Sequence, residues 1–230
     1  MAERMLQHRT DTEIWIDGLD QTEMINTSVE EIDSENVNLI FVGIDRSSSM
    51  WRFEADMKKA LEDFRDALGA SGEADEILVA RADFSGDISV GGYRKIQEFD
   101  TNYTTGGCTA LYDVIQEGCR KLKEYRDFLK NEGMRVKAVF AIFSDGENTI
   151  GNDFSGAARS VAYLNGEEIV TAFVSFGGEA SKTAGDLGFC NILDVSSSAA
   201  ELRRAFNCLS RSVIEHSRSV LSRQDDFFVV

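Results

Sequence analysis

Residues 37–50 read VNLIFVGIDRSSSM and combine the pattern of a buried strand with a polar turn. The run from Val37 to Ile44 is mostly apolar, as expected of a parallel strand that is covered on both faces. The run ends at Asp45, and Ser47 and Ser49 follow at alternate positions. Because residues two apart in an extended chain project to the same side, three oxygens can point to one place beyond the strand. In open α/β sheets, ligands bind at this carboxyl edge.

Two later segments carry oxygen-bearing side chains at comparable positions. Residues 106–113 read GGCTALYD, so a glycine turn precedes Thr109 and an amphipathic run. Residues 140–146 read FAIFSDG, a buried-strand pattern that ends in Asp145 and a glycine. Each segment taken alone has an ordinary explanation, since Ser49 or Thr109 could cap a helix and an Asp-Gly pair could form a simple turn.

Together the three segments resemble the metal-ion-dependent adhesion site of von Willebrand factor A (vWA) domains. The first resembles the family's Asp-x-Ser-x-Ser motif, the second its Gly-Gly-Thr-x-Leu loop, and the third its strand that ends in Ser/Thr-Asp-Gly. The resemblance implies that Ser47, Ser49 and Thr109 are direct hydroxyl ligands of a metal ion. It also implies that Asp45 and Asp145 act through water and hold the hydroxyls in place.

The chemistry of this ligand set agrees with the resemblance. Two carboxylates and three hydroxyls are hard oxygen donors, which favour Mg²⁺, or Mn²⁺ or Ca²⁺, over zinc or copper. Mg²⁺ takes about six ligands, so at least one position stays open for a ligand from outside. In the family, a carboxylate of the bound partner fills that position. The resemblance therefore implies a divalent-metal-dependent protein-interaction module whose protein partner contributes an Asp or Glu.

Composition limits the classes of function and partner. The 230 residues include 24 Lys+Arg against 40 Asp+Glu, a formal net charge of −16. Nucleic acid is an unfavourable partner, because phosphate binding needs a basic patch. No apolar run approaches the roughly 20 residues of a membrane span, and the first residues lack an apolar signal core. We therefore expect a cytoplasmic protein without membrane contact, with its four unpaired cysteines as small buried side chains.

Apolar periodicity predicts the order of the remaining elements. Helical spacing marks residues 51–69, 111–131, 154–164 and 198–222, and strand patterns mark residues 76–84, 88–90, 136–143, 168–176 and 192–195. This alternation predicts an α/β fold with a doubly wound, mainly parallel central sheet and helices on both faces. A tight turn at residues 85–87 predicts one antiparallel edge strand, as in the Rossmann-like vWA fold.

The chain divides into an N-terminal extension (1–36), a vWA domain (37–222) and a C-terminal tail (223–230). Within the extension, residues 14–16 (Ile-Trp-Ile) could form an extra edge strand or lie over the domain as an arm. The tail ends in Phe-Phe-Val-Val and could fold back onto the domain, add to a sheet edge or dock into a partner. We expect it to pack on its own domain or on a second copy. The sequence leaves the oligomeric state open.

An enzyme is the main alternative. A haloacid-dehalogenase-like, Mg²⁺-dependent phosphatase would also place an Asp after the first strand, and Asp45 would be its nucleophile. That motif is Asp-x-Asp, however, and Ser47 stands where the second carboxylate would act as general acid. A serine hydrolase would need Gly-x-Ser-x-Gly and a histidine base, and the only histidines are His8 and His216. We therefore expect no catalytic residues and no enzymatic activity.

The compact chain is similar to small stand-alone bacterial vWA proteins of tellurite-resistance operons, which are associated with kinase and phosphatase partners. By this analogy we expect an intracellular assembly or regulatory role.

Overall fold

The computed structural model describes residues 14–16, 35–72, 77–176, 178–195, 199–218 and 227–228. The strands are β1 (Ile14–Ile16), β2 (Asn36–Asp45), β3 (Ile77–Phe84), β4 (Ile88–Val90), β5 (Arg94–Lys95), β6 (Arg135–Ser144), β7 (Val170–Phe176) and β8 (Asn191–Val195). The α-helices are α1 (Glu54–Gly69), α2 (Leu111–Asn131), α3 (Phe154–Gly166), α4 (Gly178–Leu187) and α5 (Ala199–Arg218), with 3₁₀ helices at Ser48–Phe53 and Ile96–Glu98.

The strands form one sheet in the order β1-β4-β3-β2-β6-β7-β8, with β5 paired to β3. Strands β3, β2, β6, β7 and β8 are parallel, whereas β4 and β5 run antiparallel to β3. The predicted fold class, a mainly parallel α/β sheet with an antiparallel strand towards one edge, is confirmed. Residues 14–16 extend this edge, because β1 pairs in parallel with β4.

Strand β2 lies in the middle of the sheet, and all of its residues after Asn36 are buried. Its near-continuous apolar sequence suits this position, since both of its faces and both of its edges are covered. The chain continues from β2 to β3 on one side and returns later to β6 on the other. The carboxyl ends of β2 and β6 therefore meet where the strand order reverses, which is where open α/β sheets bind ligands.

The core has two layers, one on each face of the sheet. On one face, Phe41 of β2 stacks on Phe140 of β6 with ring centroids 4.9 Å apart, beneath helices α2, α3 and α4. On the other, Phe143 of β6 stacks on Phe206 of α5 at 4.2 Å, beside helix α1. Because successive strand residues face opposite sides, one strand supplies both layers. Helices therefore cover both faces, as predicted.

Several boundaries differ from the predicted ones. The helix predicted at 51–69 begins as a 3₁₀ helix at Ser48, and regular α-helix starts only at Glu54. Helix α5 is described to Arg218, and the end predicted at residue 222 lies outside the described residues. Helix α3 begins at an Asp153 cap, whose Oδ1 accepts a 2.8 Å hydrogen bond from Gly156 N.

The cysteine prediction is half wrong. Cys119 and Cys208 are buried, but Cys108 and Cys190 are exposed. Both exposed cysteines lie in connecting segments, Cys108 before helix α2 and Cys190 before strand β8, where side chains are less often covered than in a strand or on the inner face of a helix.

The C-terminal tail is described only at Phe227 and Phe228. Phe227 is buried, its N–H donates a 2.9 Å hydrogen bond to Asn191 Oδ1, and its ring lies 6.1 Å from that of His216. The prediction that the tail packs on its own domain is confirmed at this residue. The boundaries at 36 and 222 stay predictions, because residues 17–34 and 219–226 lie outside the described ranges. In the part of the chain that is described, no helix combines the length and apolarity needed to cross a bilayer.

Candidate metal centre

Asp45 is the last residue of β2, and its side chain is held at both carboxylate oxygens. Ser47 N donates to Oδ1 at 2.8 Å, and Ser144 Oγ donates to Oδ2 at 2.6 Å. The phenol of Tyr103 donates to the Asp45 carbonyl oxygen at 2.5 Å. Asp45 is fully buried, so these hydrogen bonds replace those that water would make. The orientation of this carboxylate is therefore fixed before any ligand arrives.

Burial raises the pKa of Asp45 from 3.8 to about 6, against the opposing effect of the hydrogen bonds from Ser144 and Ser47. The negative charge of Asp145 raises this pKa further, which places the second predicted carboxylate within electrostatic range of the first. The two negative charges repel each other, and the buried carboxylate of Asp45 is poorly solvated. A cation between them would offset both effects.

The two serines of the motif lie side by side. Ser47 Oγ and Ser49 Oγ are 2.9 Å apart; Ser47 is buried and Ser49 is exposed. The geometry follows from the 3₁₀ helix at Ser48–Phe53, in which Met50 N donates to Ser47 O at 3.0 Å. Ser49 therefore lies inside a helical turn and is not its N-cap, so the capping alternative for this residue is wrong.

Thr109 is buried in a loop that is fastened from two sides. Its N–H donates to Thr149 Oγ1 at 2.7 Å, and its carbonyl accepts from Thr149 N at 2.9 Å and from Ile150 N at 3.1 Å. Two residues earlier, the Gly107 carbonyl accepts from both Ser48 N and Ser48 Oγ, at 3.1 and 3.0 Å. The N-cap of α2 is Ala110, so the capping alternative for Thr109 is also wrong. The loop joins the segments that carry Asp45 and Asp145.

Asp145 is the first residue after β6 and is half-buried. The next residue, Gly146, has a φ of +82°, and a Cβ there would lie 2.3 Å from Ala180 Cα. Only glycine fits this turn, since other residues are strained at positive φ and would collide with α4. Gly146 N donates to Ser144 Oγ at 3.0 Å. The buried Ser144 therefore holds both this turn and the carboxylate of Asp45.

The sequence interpretation missed the side chains that support the site. Arg46 Nε and Nη2 donate to Thr104 O and Oγ1 at 2.7 and 2.6 Å. Glu54 Oε2 accepts from Thr105 N and Oγ1 at 3.0 and 2.6 Å. These hydrogen bonds fasten Thr104 and Thr105 to the segment that runs from the end of β2 to the start of α1. Ser144 had a sequence signal, a hydroxyl at the end of an apolar strand, whereas the loop contacts had none because they join distant segments.

The residues present fit a hard divalent cation. The donors are oxygens, and the 2.9 Å between Ser47 Oγ and Ser49 Oγ is close to the ~3.0 Å between adjacent ligands that each lie ~2.1 Å from Mg²⁺ in an octahedron. The described ranges contain no group of three or more His, Cys, Asp or Glu side chains. The predicted set of Asp45, Ser47, Ser49, Thr109 and Asp145 instead combines two carboxylates with three hydroxyls. Their role as ligands stays a prediction.

The chain was also compared with known proteins. No protein-family model and no curated protein matches it. Among solved structures, it is similar to the pilus adhesin SpaC from Lactobacillus rhamnosus GG (TM-score 0.65, 10% identity, 80% of this chain and 30% of the adhesin covered). Proximal thread matrix protein 1 from the mussel byssus gives a TM-score of 0.54 at 17% identity, with 78% and 46% covered. The N-terminal domain of TFIIH p34 gives 0.52 at 13%, with 75% and 96% covered.

These similarities concern the fold. The chain spans less than two thirds of the adhesin and of the mussel protein, and identities this low carry no residue roles across. Together with the strand order, they show a vWA-type, Rossmann-like fold.

Proposed function

We propose that this chain is a divalent-cation-dependent protein-interaction module that binds an acidic side chain of a partner protein. The observation that carries the proposal is the arrangement at the carboxyl end of β2. There a buried, fully hydrogen-bonded Asp45 lies in the field of Asp145, and two serine hydroxyls stand 2.9 Å apart beside it.

The family resemblance suggests a role for each group. Ser47, Ser49 and Thr109 would offer hydroxyl oxygens directly to the ion. Both oxygens of Asp45 already accept hydrogen bonds, so this residue would act by charge and by holding Ser47 through its N–H. A bound Mg²⁺ or Mn²⁺ would supply positive charge and an open coordination position for a carboxylate from outside.

The net charge supports the need for such a bridge. With a formal net charge of −16, the chain repels acidic partners from most directions of approach. A cation at the site reverses this sign locally. An acidic residue of a partner would therefore bind only when the ion is present, which gives binding that is selective for the metal-loaded state.

A non-enzymatic role belongs to the same proposal. The groups that donate hydrogen bonds to Asp45 are the hydroxyl of Ser144, the phenol of Tyr103 and the backbone amide of Ser47, and none of these is a general base at neutral pH. His216 lies at the end of α5, buried beside Phe227, and takes no part in this constellation. The phosphatase alternative would need a second carboxylate, as general acid, two residues after Asp45. The residue at that position is Ser47. An intracellular assembly role beside kinase and phosphatase partners is proposed from the family resemblance.

The test is partner capture from native lysate with Mg²⁺, with EDTA, and with the variant Ser47→Ala. The control variant is Ser85→Ala, which removes a hydroxyl at the same edge of the sheet that donates to Asp87 Oδ1. We expect EDTA and Ser47→Ala to abolish the same captured bands and Ser85→Ala to leave them. Capture that persists at full strength in EDTA and in Ser47→Ala would contradict the proposal.

A further inference from the structure

The 3₁₀ helix that follows the candidate metal centre presents an aromatic side chain to solvent. Trp51 is 72% exposed, and among the residues whose burial is described it is one of three exposed large hydrophobic residues, with Phe154 and Ile192. Trp51 comes two residues after Ser49. An exposed residue of this size is unusual next to a polar site, because hydrophobic side chains favour burial.

The exposure of Trp51 is fixed by its neighbours. Met50 and Phe53 are buried and hold the inner face of the turn, and residues three apart in a 3₁₀ helix lie on the same side. Trp51 and Arg52 are consequently directed outwards, with the Arg52 guanidinium 5.0 Å from the centre of the Phe53 ring. Because buried Met50 and Phe53 anchor the turn, a partner that covers Trp51 would have to order little of this chain on binding.

A pair of aromatic side chains lies in the first turns of helices α2 and α3, which begin at the same edge of the sheet. Phe154, which is 36% exposed, packs edge-on against Tyr112 with ring centroids 5.6 Å apart. Tyr112 comes three residues after Thr109, and its N–H donates to Asn148 Oδ1 in the loop that begins at Asp145. Trp51 and Tyr112 thus come two and three residues after the predicted ligands Ser49 and Thr109, and Phe154 packs on Tyr112. We call these three residues the apolar rim.

The third exposed hydrophobic residue provides a contrast. Ile192 is the second residue of β8, which runs parallel to β7. Strand β8 is the last strand of the sheet on that side, with β6 and β7 between it and β2, so Ile192 lies three strands away from the strand that carries Asp45. Among the residues whose burial the structure describes, the two exposed aromatic residues, Trp51 and Phe154, both lie at the edge that carries the predicted ligands.

We infer that the apolar rim is the specificity-determining part of the partner interface, and that the partner's acidic residue is accompanied in its own sequence by a large apolar side chain that packs on Trp51. This inference rests on the proposed function, because the contact between the partner's acidic side chain and the ion brings the partner next to the apolar rim. A contact between the ion and a carboxylate alone buries little surface, and any exposed Asp or Glu could make it. It therefore gives little specificity by itself. Tryptophan and arginine are enriched among the residues that dominate the binding energy of protein interfaces. Trp51 and Arg52 are residues of these two types.

The test uses a displayed library of random linear peptides, selected on the full chain in Mg²⁺. Selected peptides are then titrated against the wild type and against Trp51→Ala, Phe154→Ala and Ile192→Ala, and each variant is titrated with Mg²⁺ alone. We expect enriched peptides to share an acid close to a large apolar residue. Trp51→Ala should weaken them roughly tenfold or more, Phe154→Ala by less, and Ile192→Ala not measurably. Mg²⁺ affinity should be the same in all three variants.

The outcomes separate the two proposals. Peptides that need both their acid and Mg²⁺ but bind Trp51→Ala as tightly as the wild type would overturn the role of the rim and leave the proposed function standing. Selection that yields only peptides indifferent to EDTA would overturn the proposed function, and the rim inference with it. Equal losses in Trp51→Ala and Ile192→Ala would show non-specific apolar binding and would also overturn the inference.

Discussion

Ser144 Oγ donates a 2.6 Å hydrogen bond to Asp45 Oδ2 and so links the ends of two neighbouring parallel strands whose residues are 99 positions apart in the sequence. The same oxygen accepts from Gly146 N at 3.0 Å. A single buried hydroxyl therefore holds the first predicted carboxylate and the turn that carries the second.

The variant Ser144→Ala should destabilise the fold and the site together. It leaves a buried carboxylate oxygen without a donor, which costs about 1–3 kcal/mol in the free energy of unfolding. Urea unfolding measures this loss. Ser160→Ala is the control, because its hydroxyl donates to Gly156 O within helix α3 and supports no other element. A loss in Ser144→Ala no greater than in the control would show that the link to Asp45 adds nothing.

The parts predicted from sequence and the parts missed have a common physical explanation. The near-continuous apolar runs of β2 and β6 leave few alternatives to buried parallel strands, and Asp45 and Asp145 follow because polar residues there must lie at a strand end. The support from Arg46 and Glu54 could not be predicted, because it depends on where residues 104 and 105 pass in space. Sequence periodicity describes elements, whereas loop contacts are decided by the assembled fold.

Gly118 on α2 tests the packing of one core layer. A Cβ at this position would lie 2.4 Å from Phe41 Cζ and 2.8 Å from Phe140 Cε2, where the two rings are stacked. Gly118→Ala should therefore cost about 1–3 kcal/mol by overpacking, although alanine is the better helix former. Gly69→Ala is the control, since nothing lies within 4 Å of a Cβ there. Similar thermal unfolding of both variants would contradict the packing described here.

His216 gives the stability a defined dependence on pH. Burial, together with the nearby charge of Lys137, lowers the pKa of His216 from 6.5 to about 4. Between these values the unfolded state binds more protons than the folded state, so the free energy of unfolding rises with pH. Stability from this residue is complete above about pH 6.5 and is lost as the pH falls towards 4.

Urea unfolding of the wild type and of His216→Gln, across this pH range, isolates the effect from the many carboxylates. The wild type should lose more stability than the variant as the pH falls, because the variant has no proton to bind at this position. Parallel pH profiles for the two proteins would contradict a buried neutral imidazole packed against Phe227.

The fold should survive removal of the metal ion. Both core layers are built from strand and helix side chains, whereas the predicted ligands lie at the ends of strands and in loops. After treatment with EDTA, thermal unfolding should stay cooperative, and Mg²⁺ should add no more than mass action gives, about 2.7 kcal/mol at a hundredfold excess over Kd. A metal-free chain without a cooperative transition would make the ion structural and contradict this expectation.

The identity of the ligands is the part of the account that only binding can test. Family resemblance selected Asp45, Ser47, Ser49, Thr109 and Asp145, and the structure adds the hydrogen bonds that orient Asp45 and the short distance between the serines. The loop of Thr109 contacts the serine-bearing turn through the hydrogen bond from Ser48 to Gly107. The turn of Asp145 is joined to the end of β2 through Ser144, which bonds both Asp45 and Gly146.

The most direct measurement is calorimetric titration of the EDTA-treated chain with Mg²⁺ and Mn²⁺, for the wild type, Asp45→Ala and the near-isosteric Asp45→Asn. The account predicts one site per chain in the wild type, selectivity against Zn²⁺, and loss or severe weakening of that site in both variants while circular dichroism shows an intact fold. Binding that is unchanged in Asp45→Ala and Asp45→Asn, or no binding by the folded wild type, would contradict it.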